Sequence, residues 1–248
     1  MNIVVCISQT PDTATKVAVG ADGRNIDAKG VKFVLNPYDE FAVEEGLQLR
    51  AAHGGEVTLV CVGGDGAKEA IRLGIAMGAD KAVLVKDEER ADSFRVVSGI
   101  ADVVRAAGPD IILLGRQSID YDSAQVGPML AEMLDMPCVS FVTRLEINGS
   151  AVRAERDIEG GKEVVETSLP CVITAQKGLN EPRYPKLPDI MKAKAKPIAE
   201  VAASSVAARV ETLAMRKPAE KTGGRIFEFS PENVKELVRL LHEEAKVI

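Results

Sequence analysis

With 248 residues, 46% of them hydrophobic, the chain can bury a sizeable core as one large domain, or as one domain with an appendage. Lysines and arginines number 31 against 37 aspartates and glutamates, and the resulting charge of −6 argues against a general nucleic-acid-binding surface. No apolar stretch approaches the roughly 20 residues that span a bilayer, so no direct membrane insertion is expected.

Four cysteines (Cys6, Cys61, Cys138 and Cys171) sit in or beside apolar runs without metal-type spacing. They read as buried reduced thiols, and no targeting segment is expected ahead of Asn2, so the expected compartment is the cytoplasm.

In chain order, Asn2 to Ile7 reads as a first buried strand and Ser8 to Asp12 as a loop. Lys16 to Asp27, broken by Gly20-Ala21-Asp22-Gly23, reads as a small hairpin or excursion. A helix is expected after Asn36 as N-cap, with Pro37 at its first position, ending at His53-Gly54-Gly55. Strands over Glu56–Val62, Lys81–Val85 and Asp110–Leu114 alternate with helices over Ala67–Met77 and Ser93–Ala107. That alternation predicts βαβ units and a mostly parallel sheet with helices on both faces. Cys138–Ile147, Ser150–Asp157, Lys162–Ser168 and Cys171–Gln176 read instead as antiparallel hairpins that close the sheet.

From Asn180 the texture changes. Prolines 182, 185, 188 and 197 argue against regular structure over most of the segment that follows, and residues 198–229 show little periodicity. A last amphipathic helix is expected from Ser230, a cap followed by Pro231, to Ala245. The expected division is an α/β domain over 1–185 and a C-terminal arm over 186–248. An arm of about 60 residues with little core suits lying on another chain; the alternative is a disordered tail.

The chemistry concentrates between Asp110 and Leu134. A buried strand runs into a polar loop, and a helix is expected to begin near Asp122-Ser123. Loops leaving the carboxyl ends of strands are where open α/β sheets bind ligands. Backbone N–H groups of Ala124, Gln125 and Val126 at a helix start would suit a phosphate; alternatively Asp122 or Ser123 is only a cap. Asp120 and Asp122 admit an acid–base pair or, more simply, capping and hydrogen bonding beside the loop. Gly63-Gly64-Asp65-Gly66 is a tight turn or a second phosphate contact. G-x-G-x-x-G and P-loop motifs are missing, and two distant histidines (His53, His242) support neither a triad nor a zinc site. No catalytic residue and no metal ligand is expected.

Several stretches resemble one family. They are Asn36-Pro37-Tyr38-Asp39-Glu40 followed by Ala42-Val43-Glu44-Glu45, Met77-Gly78-Ala79-Asp80, Gly115-Arg116-Gln117-Ser118-Ile119-Asp120-x-Asp122, and Asn180-Glu181-Pro182-Arg183-Tyr184 leading into Leu187-Pro188-x-Ile190-Met191-Lys192-Ala193-Lys194. The block AERDIEGGKEVVETSLPCVIT from Ala154 to Thr174 fits the family signature. Over essentially its whole length the chain resembles the β subunit of electron transfer flavoproteins.

That resemblance implies a Rossmann-like three-layer fold and an electron carrier subunit rather than an enzyme. An α subunit would supply most of the site of a redox-active FAD, while this chain would bind an AMP and send its arm to the α subunit. Electrons would arrive from acyl-CoA-type dehydrogenases, as in fatty acid oxidation, and leave to a quinone oxidoreductase or another acceptor. By position, the AMP pocket corresponds to Cys6, Asn36, Pro37, Tyr38, Asp39, Val62 and the segment Gly115, Arg116, Gln117, Asp120, Asp122, Ser123, Ala124, Gln125, Val126. Leu187, with Ile190 and Met191 beside it, corresponds to the partner-recognition loop; ordinary packing on the α subunit is the plainer role. Asp157 corresponds to an acid that helps hold the mobile FAD domain.

The chain departs from the family at Thr13, where a tyrosine near the flavin is common. It departs also at Tyr121-Asp122-Ser123-Ala124-Gln125-Val126-Gly127-Pro128, where Ala-Gln-Val-Gly-Pro is similar to electron-bifurcating members that hold a second FAD in place of AMP. Tyr121 itself, in place of their glycine, and the arm segment Arg216–Gly224 are closer to the AMP pattern. AMP is the expectation and a second FAD the alternative. A stand-alone nucleotide-binding stress or signalling protein on the same scaffold is the competing class.

Overall fold

A computed structural model describes residues 1–87, 92–219 and 223–248. The chain folds as two compact units, a large one over Met1–Ala214 and a small one over Met215–Ile248. The boundary expected at 185/186 falls inside the first unit.

The first unit is built on β1 (Asn2–Ile7), β4 (Glu56–Gly63), β5 (Lys81–Lys86) and β6 (Ile111–Gly115), all parallel. These runs are apolar because helices cover both faces. Between them lie β2 (Gln9–Pro11) and β3 (Phe33–Leu35), a small antiparallel pair, and then α1 (Pro37–His53), α2 (Lys68–Met77) and α3 (Ser93–Ala107). After β6 come α4 (Val126–Leu134), β7 (Cys138–Asn148), β8 (Ala151–Ile158), β9 (Gly161–Ser168), β10 (Cys171–Ala175), α5 (Leu187–Ala195) and β11 (Ala199–Ala202). The nine-stranded order is β11-β5-β4-β1-β6-β10-β7-β8-β9. The expected α/β class with a mostly parallel sheet is what the chain forms.

Two cores result, one on each face. On one side Ile3, Val5, Leu59, Leu113 and Ile173 pack with Val43 and Leu47 of α1 and Ile71 of α2. On the other, Val4, Cys6, Val60, Ile112, Leu114 and Val172 pack with Val97, Ile100 and Val104 of α3 and Leu130 of α4. Gly127 lets α4 approach β10, since a Cβ there would overlap the Thr174 methyl.

Two expectations need correction. β7, β8 and β9 form the antiparallel meander, but β10 does not close it: it returns between β6 and β7, parallel to both, because its five residues are all buried and need two covered neighbours. The proline-rich segment holds a helix, α5, with Pro188 in the first turn, where its missing N–H costs nothing. Within residues 198–229, where the sequence shows little periodicity, β11 adds to the edge of β5.

The second unit contains α6 (Pro231–Glu243), which starts where the sequence places it: the Ser230 side chain accepts from the Asn233 N–H. Arg239 pairs with Glu236 and Glu243 along one face of the helix. Of the Arg216–Gly224 segment, residues 220–222 lie outside the described residues.

Candidate functional site

β4 lies on one side of β1 and β6 on the other, so the loops leaving β1 and β6 part company. Such switch points open a crevice at the carboxyl ends of strands. A cavity of 1060 Å³ lies there, lined by Cys6, Ile7 and Ser8 from β1 and its end, Val62 and Gly63 from β4, and Leu114 and Gly115 from β6.

The loop after β6 is held from below by α1. Asp39 is buried; its Oδ2 accepts from the Ser8 N–H at 2.7 Å and the Ser8 hydroxyl at 2.8 Å, and its Oδ1 accepts from the Gly115 N–H at 2.9 Å. One carboxylate thus ties together the ends of β1 and β6. Burial pushes it up to about 6, against the pull of those same hydrogen bonds. Asn36 occupies the N-cap position of α1, but its side chain makes no cap bond. Its Nδ2 donates to the Gln117 carbonyl at 2.9 Å, and its Oδ1 accepts from the Ile119 N–H at 3.2 Å. The expected cap is therefore a loop clamp, since a fully buried amide must satisfy both ends.

Further along, Gln117 Nε2 donates to Asp122 Oδ1 at 2.5 Å, and the Asp122 N–H donates to the Ser118 carbonyl at 3.0 Å. Arg116 lies over Tyr38 and Phe141, with ring centroids at 5.1 and 5.2 Å. The backbone is left-handed at Asp122 (φ 50°) and Ala124 (φ 51°), so α4 begins only at Val126. This corrects the expected start near Asp122-Ser123: neither residue caps the helix, whose N-cap is Gln125. Among the described residues, the N–H groups of Ala124, Gln125 and Val126 have no partner within the chain. They line the cavity together with Ser123. A positive-φ residue followed by a right-handed one turns successive N–H groups to one side, the backbone form that holds anions.

Cys6, Val62, Leu114, Val96 and Ile100 also line the cavity and belong to the apolar cluster around α3. Burial first, and the Asp39 charge second, push the Cys6 thiol up, so it stays neutral and serves as packing, not as a nucleophile.

Of the expected pocket residues, Cys6, Asp39, Val62, Gly115, Arg116, Gln117, Ser123, Ala124, Gln125 and Val126 line the cavity. Asn36, Pro37, Tyr38, Asp120 and Asp122 are not among its lining residues. Asp120 and Asp122 are not joined as an acid–base pair: Asp120 accepts from the Tyr121 N–H while Asp122 holds Gln117. Tyr121 lines the mouth with 62% of its surface exposed. The sequence reading missed Arg24, Asn25, Asp92, Ser93 and the segment 208–212, all on the cavity wall. Asp92 ahead of the 93–107 helix carried a capping signal; the segment 208–212 carried none, because only its packing after β11 brings it there.

The expected partner-binding residues are on a different surface. Leu187 is 72% exposed, with Ile190 and Met191 also exposed on α5. Arg72 grips the carbonyls of Ala193 and Lys194 and anchors that helix. Asp157 lies at the β8–β9 turn with Lys162 at 4.0 Å, and Thr13 lies in an exposed turn away from the cavity lining.

The family model described as "Electron transfer flavoprotein domain" matches residues 24–206. The chain is 42% identical over 259 residues to the electron transfer flavoprotein subunit beta of Bacillus subtilis (strain 168), covering the whole of both chains. It is 40% identical over 255 residues to the protein of the same name from Bradyrhizobium diazoefficiens, again covering both completely. Protein FixA of Sinorhizobium fredii is 40% identical over 203 residues, covering 78% of this chain and 71% of FixA.

Proposed function

The chain belongs to the electron transfer flavoprotein family, on the β-subunit side, and we propose that it is the β subunit of a heterodimeric electron carrier and binds AMP in the cavity at the β1/β6 switch point. The α subunit would hold the FAD that carries the electrons, received from acyl-CoA-type dehydrogenases and passed to a quinone oxidoreductase or another acceptor. The chain after residue 186 would contribute to the α-subunit interface, in a cytoplasmic complex. Among the described residues no helix is long and apolar enough to cross a membrane.

The observation that carries the AMP reading is the row of N–H groups at Ala124, Gln125 and Val126, unpartnered among the described residues, in a cavity that is also lined by apolar side chains. The N–H groups would hold the phosphate, and Cys6, Val62, Leu114 and Val96 would pack the adenosine. AMP supplies no redox chemistry; bound, it would brace the loop beneath the flavin-carrying partner. Asp39 and Asn36 hold the start of that loop through Gly115, Gln117 and Ile119. Leu187 would be the apolar anchor that enters a pocket on the dehydrogenase.

The test is the nucleotide content of the co-purified αβ complex, released by denaturation and quantified per heterodimer. One FAD and one AMP is the expected result. Two FAD and no AMP would favour the second reading, a bifurcating β subunit, which the run Ala124-Gln125-Val126-Gly127-Pro128 supports. A complex without any adenine nucleotide beyond the flavin of the α subunit would overturn both.

A further inference from the structure

We infer that residues 208–212 form a strap that is part of the nucleotide site, latched by Asp92, and that this latch sets how fast the bound nucleotide leaves. The inference rests on the cavity being a nucleotide site, and goes beyond it by assigning residues that the family match, ending at 206, does not reach.

The strap follows β11 and crosses to the cavity, where Ala208, Arg209, Val210, Glu211 and Thr212 form part of the lining. Its fastening is polar and comes from two separate places. Asp92 Oδ2 accepts from the N–H groups of Arg209 at 2.7 Å and Val210 at 2.8 Å, while Asp92 Oδ1 accepts from the Arg95 N–H at 2.9 Å and so caps α3. Arg24, from the excursion after β2, pairs with Glu211 at 2.6 Å. The Arg209 guanidinium lies 3.5 Å from the centre of the Phe94 ring.

What the strap lacks is a buried apolar anchor: Val210 is 73% exposed. A segment held, among the described residues, by hydrogen bonds, an ion pair and a cation–π contact, with little apolar burial, opens at far lower cost than the core it lies on. The strap can therefore lift without unfolding the sheet, and while latched it forms part of the cavity wall. Asp92 is the hinge pin because one carboxylate serves both the fixed helix and the movable strap. Burial opposes its charge, but the three backbone N–H groups outweigh burial and keep it ionised.

The experiment follows release of bound nucleotide from the purified αβ complex after dilution into excess radiolabelled AMP. Asp92→Ser retains a good helix cap but loses the charge and the second oxygen that hold the strap. It is expected to release nucleotide about tenfold to a hundredfold faster, with its unfolding midpoint close to wild type. Glu211→Gln, which leaves the α3 cap untouched, should speed release several-fold and stands in should Asp92→Ser fold poorly. Trypsin cleavage after Arg209 gives a second readout: slow in wild type, faster in both variants. Bound nucleotide with unchanged release and unchanged cleavage in both variants would overturn the strap and leave the site reading intact. Wild-type complex holding no nucleotide in the cavity would overturn the site reading and the strap with it.

Discussion

Arg183 grips Glu44 with both arms of its guanidinium: Nε donates to Oε2 at 2.6 Å and Nη2 to Oε1 at 2.8 Å, while the Arg183 backbone N–H adds a contact to Oε2 at 3.2 Å. Three residues earlier, Asn180 donates to Glu45 and to the Phe41 carbonyl, so the segment ahead of Leu187 is bolted to α1. Glu44 is 4% exposed. Burial raises its carboxyl, but the bonds from Arg183 and Gln48 outweigh that and hold it below the ordinary glutamate range. Being depressed, it contributes stability above the ordinary glutamate pKa, and that contribution is lost as pH falls through the lowered value.

Arg183→Ala should therefore cost about 1–3 kcal/mol, the cost of leaving a buried carboxylate short of its donors. Arg183→Lys should recover only part, since an ammonium cannot reproduce the two-pronged contact. Urea unfolding at pH 7 measures this, and an unshifted midpoint for Arg183→Ala would show the pair to be ornamental.

Gly115→Ala should destabilise the fold and empty the cavity together. A Cβ there would overlap Asp39 Oδ1 and lie 2.7 Å from the Tyr38 carbonyl carbon, and neither backbone nor a buried carboxylate can step aside. A loss of about 1–3 kcal/mol is expected from such overpacking. Denaturant titration combined with nucleotide analysis would detect it; wild-type values in both would refute the close approach.

Asp39 should titrate near pH 6 in the folded protein, raised chiefly by burial. The sign follows from linkage: the folded chain holds this proton more tightly than the unfolded one, so the contribution to stability is full below the unfolded aspartate pKa and is lost as pH rises through about 6. The carboxylate form at neutral pH is kept for its two accepting oxygens. Carbon-detected NMR of the Asp39 carboxyl should give a midpoint near 6, and a midpoint below about 4, the ordinary aspartate value, would contradict it.

Leu187→Ala should weaken docking of the αβ complex to its dehydrogenase about 30-fold, roughly 2 kcal/mol, without lowering the unfolding temperature. An exposed leucine adds nothing to the core, so its loss is felt only at an interface. Surface plasmon resonance separates the cases: an unchanged Kd removes Leu187 from the interface.

Much of this was legible along the chain. Alternating apolar runs and helix periods specified the parallel half of the sheet, since buried strands and capped helices write their burial into neighbouring residues. Ser230-Pro231 announced α6, and the polar loop after β6 lines the cavity at the carboxyl ends of the strands. What tertiary structure alone decided are the contacts between residues far apart in the chain. Asp39 meets Gly115 across 76 positions, Asp92 meets Arg209 across 117, and Glu44 meets Arg183 across 139. β10 likewise slips between β6 and β7 because its largely apolar sequence states that it is buried and leaves open which neighbours bury it. Local periodicity records which face of a residue is covered. The partner that covers it is chosen only when loop closure brings distant side chains together, and the clamp under the loop and the strap on the cavity wall are both of that kind.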